Sequence, residues 1–509
     1  MQQESRIKKT LLNARINLIC YILTLVLSFF SRKIFLDCLG ADFVGLTGTL
    51  QNLLGFLNLA ELGIGISIGY LLYKPLYEGD KEKICDIITV MGYLYRKIGF
   101  FILIAGLAIA VFLPVIFPST QFDFGVIYFA YISFLTSTLI GYFINYRQNL
   151  LGADQKNYVV TIYYQGCYYL KTIIQMTIAY YTANYYYWIV IELGFGIIYS
   201  FILNWRINKT YPWLKTELRH GKQKLAAYPE VIKKTKQVFF HKISGFAQFQ
   251  TTPILVYAFV SLQTVAMYGN YTILFDKVNV FINNLFGSVS ASVGNLMAEN
   301  NKVKILEVFW ELFTLRYAVM GIISFGLLNF TNDFIRLWLG EDYILPDVIL
   351  FILVLNQFLS MSRNINDPFI WGKGMFGDIG APICETLIYI SVALVGGYFI
   401  GLPGIILGNT ASLFVIICMW KPYYLFRKGL KAPLSHYVAG WLKYTFLYSI
   451  SIVSSYVIID RYLTICPSTW VAFVSYCTIA TAVFAVVYIG LFYMLSISFR
   501  KGIHRVIKR

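Results

Sequence analysis

A chain of 509 residues that is 58% hydrophobic and only 13% charged, with a mean hydropathy of +0.65, is not a soluble globular protein, whose charged share runs near 25%. Its formal charge of +17 is no nucleic-acid signature either, because the basic residues sit in short loops between long apolar blocks, where they set topology and meet lipid headgroups.

In chain order the apolar blocks predict fourteen membrane-spanning helices, each near the ~20 residues that cross a bilayer. The first six are 13–36, 46–72, 87–113, 124–146, 158–180 and 186–204. The next six are 237–260, 264–298, 305–330, 346–371, 379–400 and 404–425, and two more follow at 441–460 and 469–495. The first block follows a basic segment but is too long for a signal h-region, lacks a small-x-small cleavage site and is read as a retained helix. The starts of the second six lie 218 to 224 residues after those of the first six, a parallel repeat because six is even. The expected organisation is a six-helix bundle over 1–205, a basic linker over 206–236, a second bundle over 237–425, and two extra helices with a basic tail over 426–509.

Loops taken alternately from the N-terminus divide the basic residues 29 to 4. The positive-inside rule then puts both termini in the cytoplasm. The remaining nine cations lie inside the apolar blocks. A charge there costs about 2.5–3.5 kcal/mol on insertion scales, so it faces a cavity or a partner. The anions are Glu61, Glu192, Asp276, Asp367 and Glu385; the cations are Arg15, Arg96, Lys97, Lys171, Lys242, Lys277, Arg316, Arg363 and Lys443. This excess of cations favours an anionic ligand. Lys171 and Glu192 come out at similar depth and are expected to pair, either as a lock between helices or beside a ligand. Arg96 and Arg316 are one repeat apart; Arg96 and Lys97 also suit snorkelling to the inner interface. Lys242 and Lys443 begin their spans and read as topology anchors. Arg363 and Asp367 share a helix face at i, i+4. Thr47, Gln51, Asn58 and Glu61 form one polar stripe; Asp276, Asn279, Asn283 and Ser290 form another. Of the many tyrosines, Tyr180–Tyr187 read as an interfacial belt, whereas Tyr168 and Tyr169 are deeper and suit either sugar stacking or core packing.

Other chemistries are excluded by what is missing. There is no GxxxxGK[ST] loop for a nucleotide-driven pump and no DxD for a metal-dependent sugar transferase. Eight scattered cysteines include no CxxC, and of these only Cys38 and Cys466 fall near the outer face; four dispersed histidines suggest no metal site. The long outer loop of a glycan ligase is also absent.

Two stretches carry a resemblance: "GADFVGLTGTLQNLLGFLNLAELGIGISIGYLLYKPLYEGDKEKI" (Gly40–Ile84) and "FFHKISGFAQFQTTPILVYAFVSLQTVAMYGNYTILF" (Phe239–Phe275). They resemble the polysaccharide flippases, which move O-antigen or capsule repeat units, of the multidrug/oligosaccharidyl-lipid/polysaccharide exporter superfamily. The resemblance implies an all-α integral membrane protein with two pseudo-symmetric six-helix bundles forming a V-shaped cavity and two C-terminal helices outside. It implies a non-enzymatic flippase of the bacterial inner membrane that moves undecaprenyl-diphosphate-linked oligosaccharide outward by alternating access, beside other polysaccharide-assembly and lipopolysaccharide proteins. Its lipid tail would stay in the bilayer, along helices thirteen and fourteen. The major-facilitator loop signature is absent from "YKPLYEGDKEKICD". The expected substrate-binding residues are Arg316, Lys277, Lys171, Arg96 and Arg363. Glu61, Asp276, Glu192 and Asp367 would orient them or bind a coupling proton or sodium ion. No other cofactor, no metal and no nucleic acid is expected. The alternatives are a drug exporter of the same superfamily, disfavoured by the cation excess, and a membrane-embedded enzyme of glycan assembly.

Overall fold

A computed structural model of the chain describes residues 6–507 apart from 62, 119, 155, 287–292, 294–295, 298–300, 374, 376, 379 and 463–467. For 6–14, most of 233–249 and a few further positions only the backbone is described, so the side chains of Lys242, Ser290 and Cys466 lie outside the described residues.

The described residues form helices and no strand. In chain order these are α1 (Arg6–Leu39), α2 (Ala41–Leu57), α3 (Ile64–Glu78), α4 (Lys81–Ile116), α5 (Phe124–Phe143), α6 (Gln148–Ala153), α7 (Asn157–Thr182), α8 (Tyr185–Thr210) and α9 (Gly221–Ala227). Then come α10 (Pro229–Phe259), α11 (Leu262–Phe286), α12 (Lys302–Leu339), α13 (Asp347–Gly372), α14 (Gly380–Ile400), α15 (Leu402–Leu430), α16 (Leu434–Tyr462), α17 (Trp470–Leu495) and α18 (Ile497–Ile507). Among the described residues the fourteen apolar blocks lie mainly on helices, the eighth covered by α11 as far as Phe286, and ten of these are long and apolar enough to cross a membrane. The other four are the more polar α7, α10 and α11 and the second block, which is split. Side-chain caps explain several starts. Asp80 accepts from the Lys83 N–H at 3.0 Å, Asp123 from Gly125 at 3.0 Å and Asn184 from Tyr186 at 2.9 Å, each satisfying an orphan donor of the first turn.

The split corrects the expectation of one continuous helix over 46–72. The chain leaves α2 through a tight turn at Asn58–Glu61 and passes Gly63 at φ +97°, a left-handed conformation that glycine adopts without steric penalty, before α3 begins.

Contacts divide the chain into two units, Met1–Ala266 and Met267–Arg509. In the first, α1 packs on α7, α4 on α5 and α5 on α8, around Leu46, Ile68, Ile88, Tyr131 and Leu203. The helix α10, expected to open the second bundle, packs on α2 and α3 within this unit. The basic segment before it is not a plain linker, because α9 lies on α4. Lys224 donates to Asp86 at 2.5 Å, and this bond holds its pKa above the usual 10.5. A raised lysine pKa contributes stability that is complete below the unfolded value and lost as pH rises through the folded one. Docking of α9 is therefore insensitive to pH through the neutral range. Asp86→Asn should speed amide exchange across Gly221–Ala227 at pH 7, as hydrogen-exchange mass spectrometry would show.

In the second unit α12 is covered by α13, α16, α17 and α18. An aromatic column fills the seam: Phe313 stacks on Tyr317 at 5.5 Å, Tyr317 meets Phe358 and Tyr444, and Phe325 stacks on Phe484 at 4.1 Å. Such pairs add about 0.5–1.5 kcal/mol each beyond the area they bury. Tyr317 shares a 2.6 Å hydrogen bond with Thr445, and Tyr488 donates to the Tyr317 carbonyl at 3.1 Å. The two extra helices are thus built into the core of this unit. The close approach depends on Gly321, where a Cβ would stand 2.5 Å from the Tyr488 ring. Gly321→Leu should overpack the seam and destabilise by about 1–3 kcal/mol, lowering the melting temperature, and Tyr488→Ala in the same chain should restore part of the loss.

Candidate functional site

The break in the second span places a carboxylate among phenols. Glu61 ends the turn after α2 and lies half-buried. Tyr95 of α4 donates to its Oε1, and Tyr142 of α5 donates to its Oε2 at 3.0 Å and to Asn58 Oδ1 at 2.9 Å. Tyr95 and Tyr142 lean on each other at 5.5 Å. Asn149 of α6 stands within reach of the same phenol, since both would lie near a Cβ placed at Gly65, at 3.6 and 3.5 Å. Among the described residues the groups on this carboxylate are therefore phenols, and no cation. Thr47, further up the stripe, is buried and donates to the carbonyls of Phe43 and Val44 in its own helix.

Among the described residues, five of the other intramembrane charges are paired within their own units. Lys171 of α7 donates to both Glu192 oxygens of α8 at 2.8 Å, Gln175 adds a 3.1 Å bond to the same carboxylate, and the ammonium lies over Tyr168 at 5.2 Å. The Tyr169 hydroxyl donates to the Cys20 carbonyl at 2.9 Å and meets Thr24 at 3.1 Å, joining α7 to α1. Arg363 and Asp367 share a face of α13 but have different partners. Arg363 binds Glu385 of α14, whereas Asp367 takes Lys421 at 2.8 Å. Lys421, which the charge asymmetry groups with the loops, sits between two widened π-type turns of α15, at Phe414–Trp420 and Tyr424–Leu430, the kind of local distortion that often re-aims a helix residue.

Arg96 and Arg316, one repeat apart, have opposite environments. Arg96 is exposed and heads the stripe Phe100, Ile104, Leu107 and Val111, all exposed, which is the position of a side chain that snorkels. Arg316 is buried at 4% exposure in α12. The extra helices α16 and α17 pack on α12, whereas α4 packs on α3, α5 and α9. Of the α11 stripe, Asp276 is exposed, Lys277 is half-buried, and Asn279 accepts from Gln357 of α13 at 2.7 Å. Lys443 donates to the Leu495 carbonyl at 2.7 Å, joining α16 to the end of α17. Cys38 is a free, half-buried thiol, and the described residues hold no cluster of His, Cys, Asp and Glu suited to a metal.

The pair of glycines in "ELGIG" was a legible sign of the break. Tyr95 and Tyr142 had no signal: nothing in spacing separates two tyrosines on different helices from the other thirty-eight.

No protein family and no curated protein matches the chain in sequence. Solved structures match in shape. An inward-facing multidrug resistance MATE family transporter of the MOP superfamily aligns with a TM-score of 0.61 at 14% identity, over 82% of this chain and 99% of its own. The lipid II flippase MurJ, in an inward closed conformation, aligns with a TM-score of 0.62 at 14% identity, over 92% of this chain and 98% of its own. An outward-facing MATE transporter aligns at 0.51 and 15%, over 83% and 96%. The chain has the fold of these transporters.

The Lys171–Glu192 pair is about four-fifths buried on both sides, at 15% and 21% exposure. Breaking a buried pair leaves an uncompensated charge, whereas removing both partners is tolerated. Lys171→Met and Glu192→Met should each lower the melting temperature, and the double variant should recover most of it; equal additive losses would show that the pair is not a unit.

Proposed function

We propose that the chain is a membrane flippase for an isoprenoid-diphosphate-linked oligosaccharide, which it turns from the inner to the outer leaflet. One observation carries this reading over a drug exporter. The first MATE structure is matched almost completely yet leaves 18% of this chain over, while the MurJ alignment takes in about a tenth of the chain more. The excess is about the size of the two C-terminal helices, which are integral to the second unit. A lipid-linked substrate also suits the excess of cations over anions inside the apolar blocks. Within the second unit, Lys277 of α11 and Arg316 of α12 are the groups we assign to the diphosphate. A cation of this kind binds an anion more strongly where water is excluded. Asp367 and Glu192 serve as the counter-charges that hold the bundles together, and Asp276 flanks Lys277. The chemistry is carried by no cofactor: Glu61 takes the coupling proton or sodium ion at the broken second helix.

The reading is tested in a strain that builds a surface glycan on a polyprenyl carrier. Deletion should abolish surface display and accumulate the lipid-linked intermediate on the inner leaflet; unchanged display would refute the function. In proteoliposomes carrying a fluorescent lipid-linked oligosaccharide, Glu61→Gln should slow gradient-driven flipping at least tenfold, while Lys277→Ala should raise the substrate concentration needed for half-maximal rate. Drug-gradient efflux by the same proteoliposomes, with no glycolipid movement, would instead support an exporter.

A further inference from the structure

The first unit holds a second site, separate from the Glu61 cage. A cavity of about 750 Å³ opens among the start of α2, the end of α4 with the loop after it, the end of α10 and the α10–α11 turn. By the lysine and arginine asymmetry these are all outer ends. Its volume lies within the range of small-molecule sites, about 300–1,000 Å³.

The polar groups gather from three separate segments. Asp42 is in the first turn of α2 and accepts a 2.7 Å hydrogen bond from the Gln121 amide. Thr120 lies beside Gln121 in the loop after α4, and Ser261 sits in the turn between α10 and α11. Tyr257 lines the same cavity and is held by stacking on the wholly buried Phe117, centroids 4.8 Å apart and planes 27° from parallel. That ring is therefore fixed in place on a rigid support. The turn itself is clamped to α2, because Gly45 lies so close to the Leu262 carbonyl that a Cβ there would stand 2.1 Å from the oxygen. Substitution of Gly45 would drive the two segments apart.

Among the described residues the lining includes no lysine, arginine or histidine. A carboxylate at the rim repels an anion, so a diphosphate has no place here. A carboxylate, a carboxamide and two hydroxyls beside one ordered aromatic ring match a neutral ligand rich in paired donors and acceptors with an apolar face. The aliphatic remainder of the lining suits the C–H faces and acetyl or methyl substituents of such a ligand. A lone organic cation would need the carboxylate and the ring but not the carboxamide and hydroxyls. We propose that this cavity is a subsite for a neutral sugar unit at the outer end of the first unit, where the glycan rests against Tyr257 while Asp42, Gln121, Thr120 and Ser261 bond its hydroxyls. It rests on the flippase reading for its biological use, though not for its chemistry: it separates sugar recognition at the outer end from diphosphate recognition within the second unit.

The test uses the full chain in nanodiscs of zwitterionic lipid, with saturation-transfer NMR against a panel of neutral hexoses and N-acetylhexosamines. At least one sugar should give a saturable signal, weakened tenfold or more by Tyr257→Ala and by Asp42→Ala. Gln121 is exposed, so Gln121→Ala should keep the wild-type melting curve and still weaken binding. Absence of a saturable sugar signal in the wild-type chain would overturn the subsite, as would equal saturation in all three variants. Displacement by tetraphenylphosphonium, with loss in Asp42→Ala and none in Gln121→Ala, would also overturn it by marking a cation site. Glycolipid flipping without sugar binding would leave the flippase and remove the subsite; sugar binding without flipping would do the reverse.

Discussion

A polar group inside a bilayer has no water to bond, and almost everything in this protein stems from that constraint. Each charge within the helices must find a partner in its own bundle, reach the interface along its own stem, or face a cavity. The first two occur among the described residues. Lys171 and Glu192, Arg363 and Glu385, and Lys421 and Asp367 are cross-helix pairs. Arg96 sits at the N-terminal end of an exposed apolar stripe. Among the described residues the Glu61 carboxylate is met by phenols and by no cation.

That difference separates scaffold from machinery. A buried ion pair that joins two helices resists motion between them, since separating its members exposes two uncompensated charges. The Glu61 carboxylate, met among the described residues by neutral donors, lies where a helix is interrupted. Cross-helix locks therefore join α7 to α8 and α13 to α14 and α15, whereas the Glu61 carboxylate falls at a break. The aromatic seam of the second unit serves the rigid side of this division, tying α16 and α17 to α12 through stacked rings and two phenolic hydrogen bonds.

Legibility in the sequence tracked the range of the interaction. The blocks were readable because apolar length is local, and among the described residues they lie mainly on helices. The partner of Lys171 was readable because two adjacent helices place residues at similar depth. The partner of Asp367 was not, because Lys421 lies 54 residues away in a stretch that looks like a loop. Equally, a period near 220 residues suggested that Arg96 and Arg316 were equivalent, yet one is exposed and the other buried.

By itself the sequence determined that the chain is an all-α, multi-pass membrane protein, since the hydropathy and length of each block depend on its own residues. Only the tertiary structure decided which charges cancel, that the second span is interrupted beneath a cage of two tyrosines from different helices, and that Asp42, Gln121 and Tyr257 share a cavity. The reason is physical: transfer of an apolar segment into lipid is a sum over neighbours in sequence, whereas hydrogen bonds and ion pairs between helices depend on rotation and depth, which only packing sets.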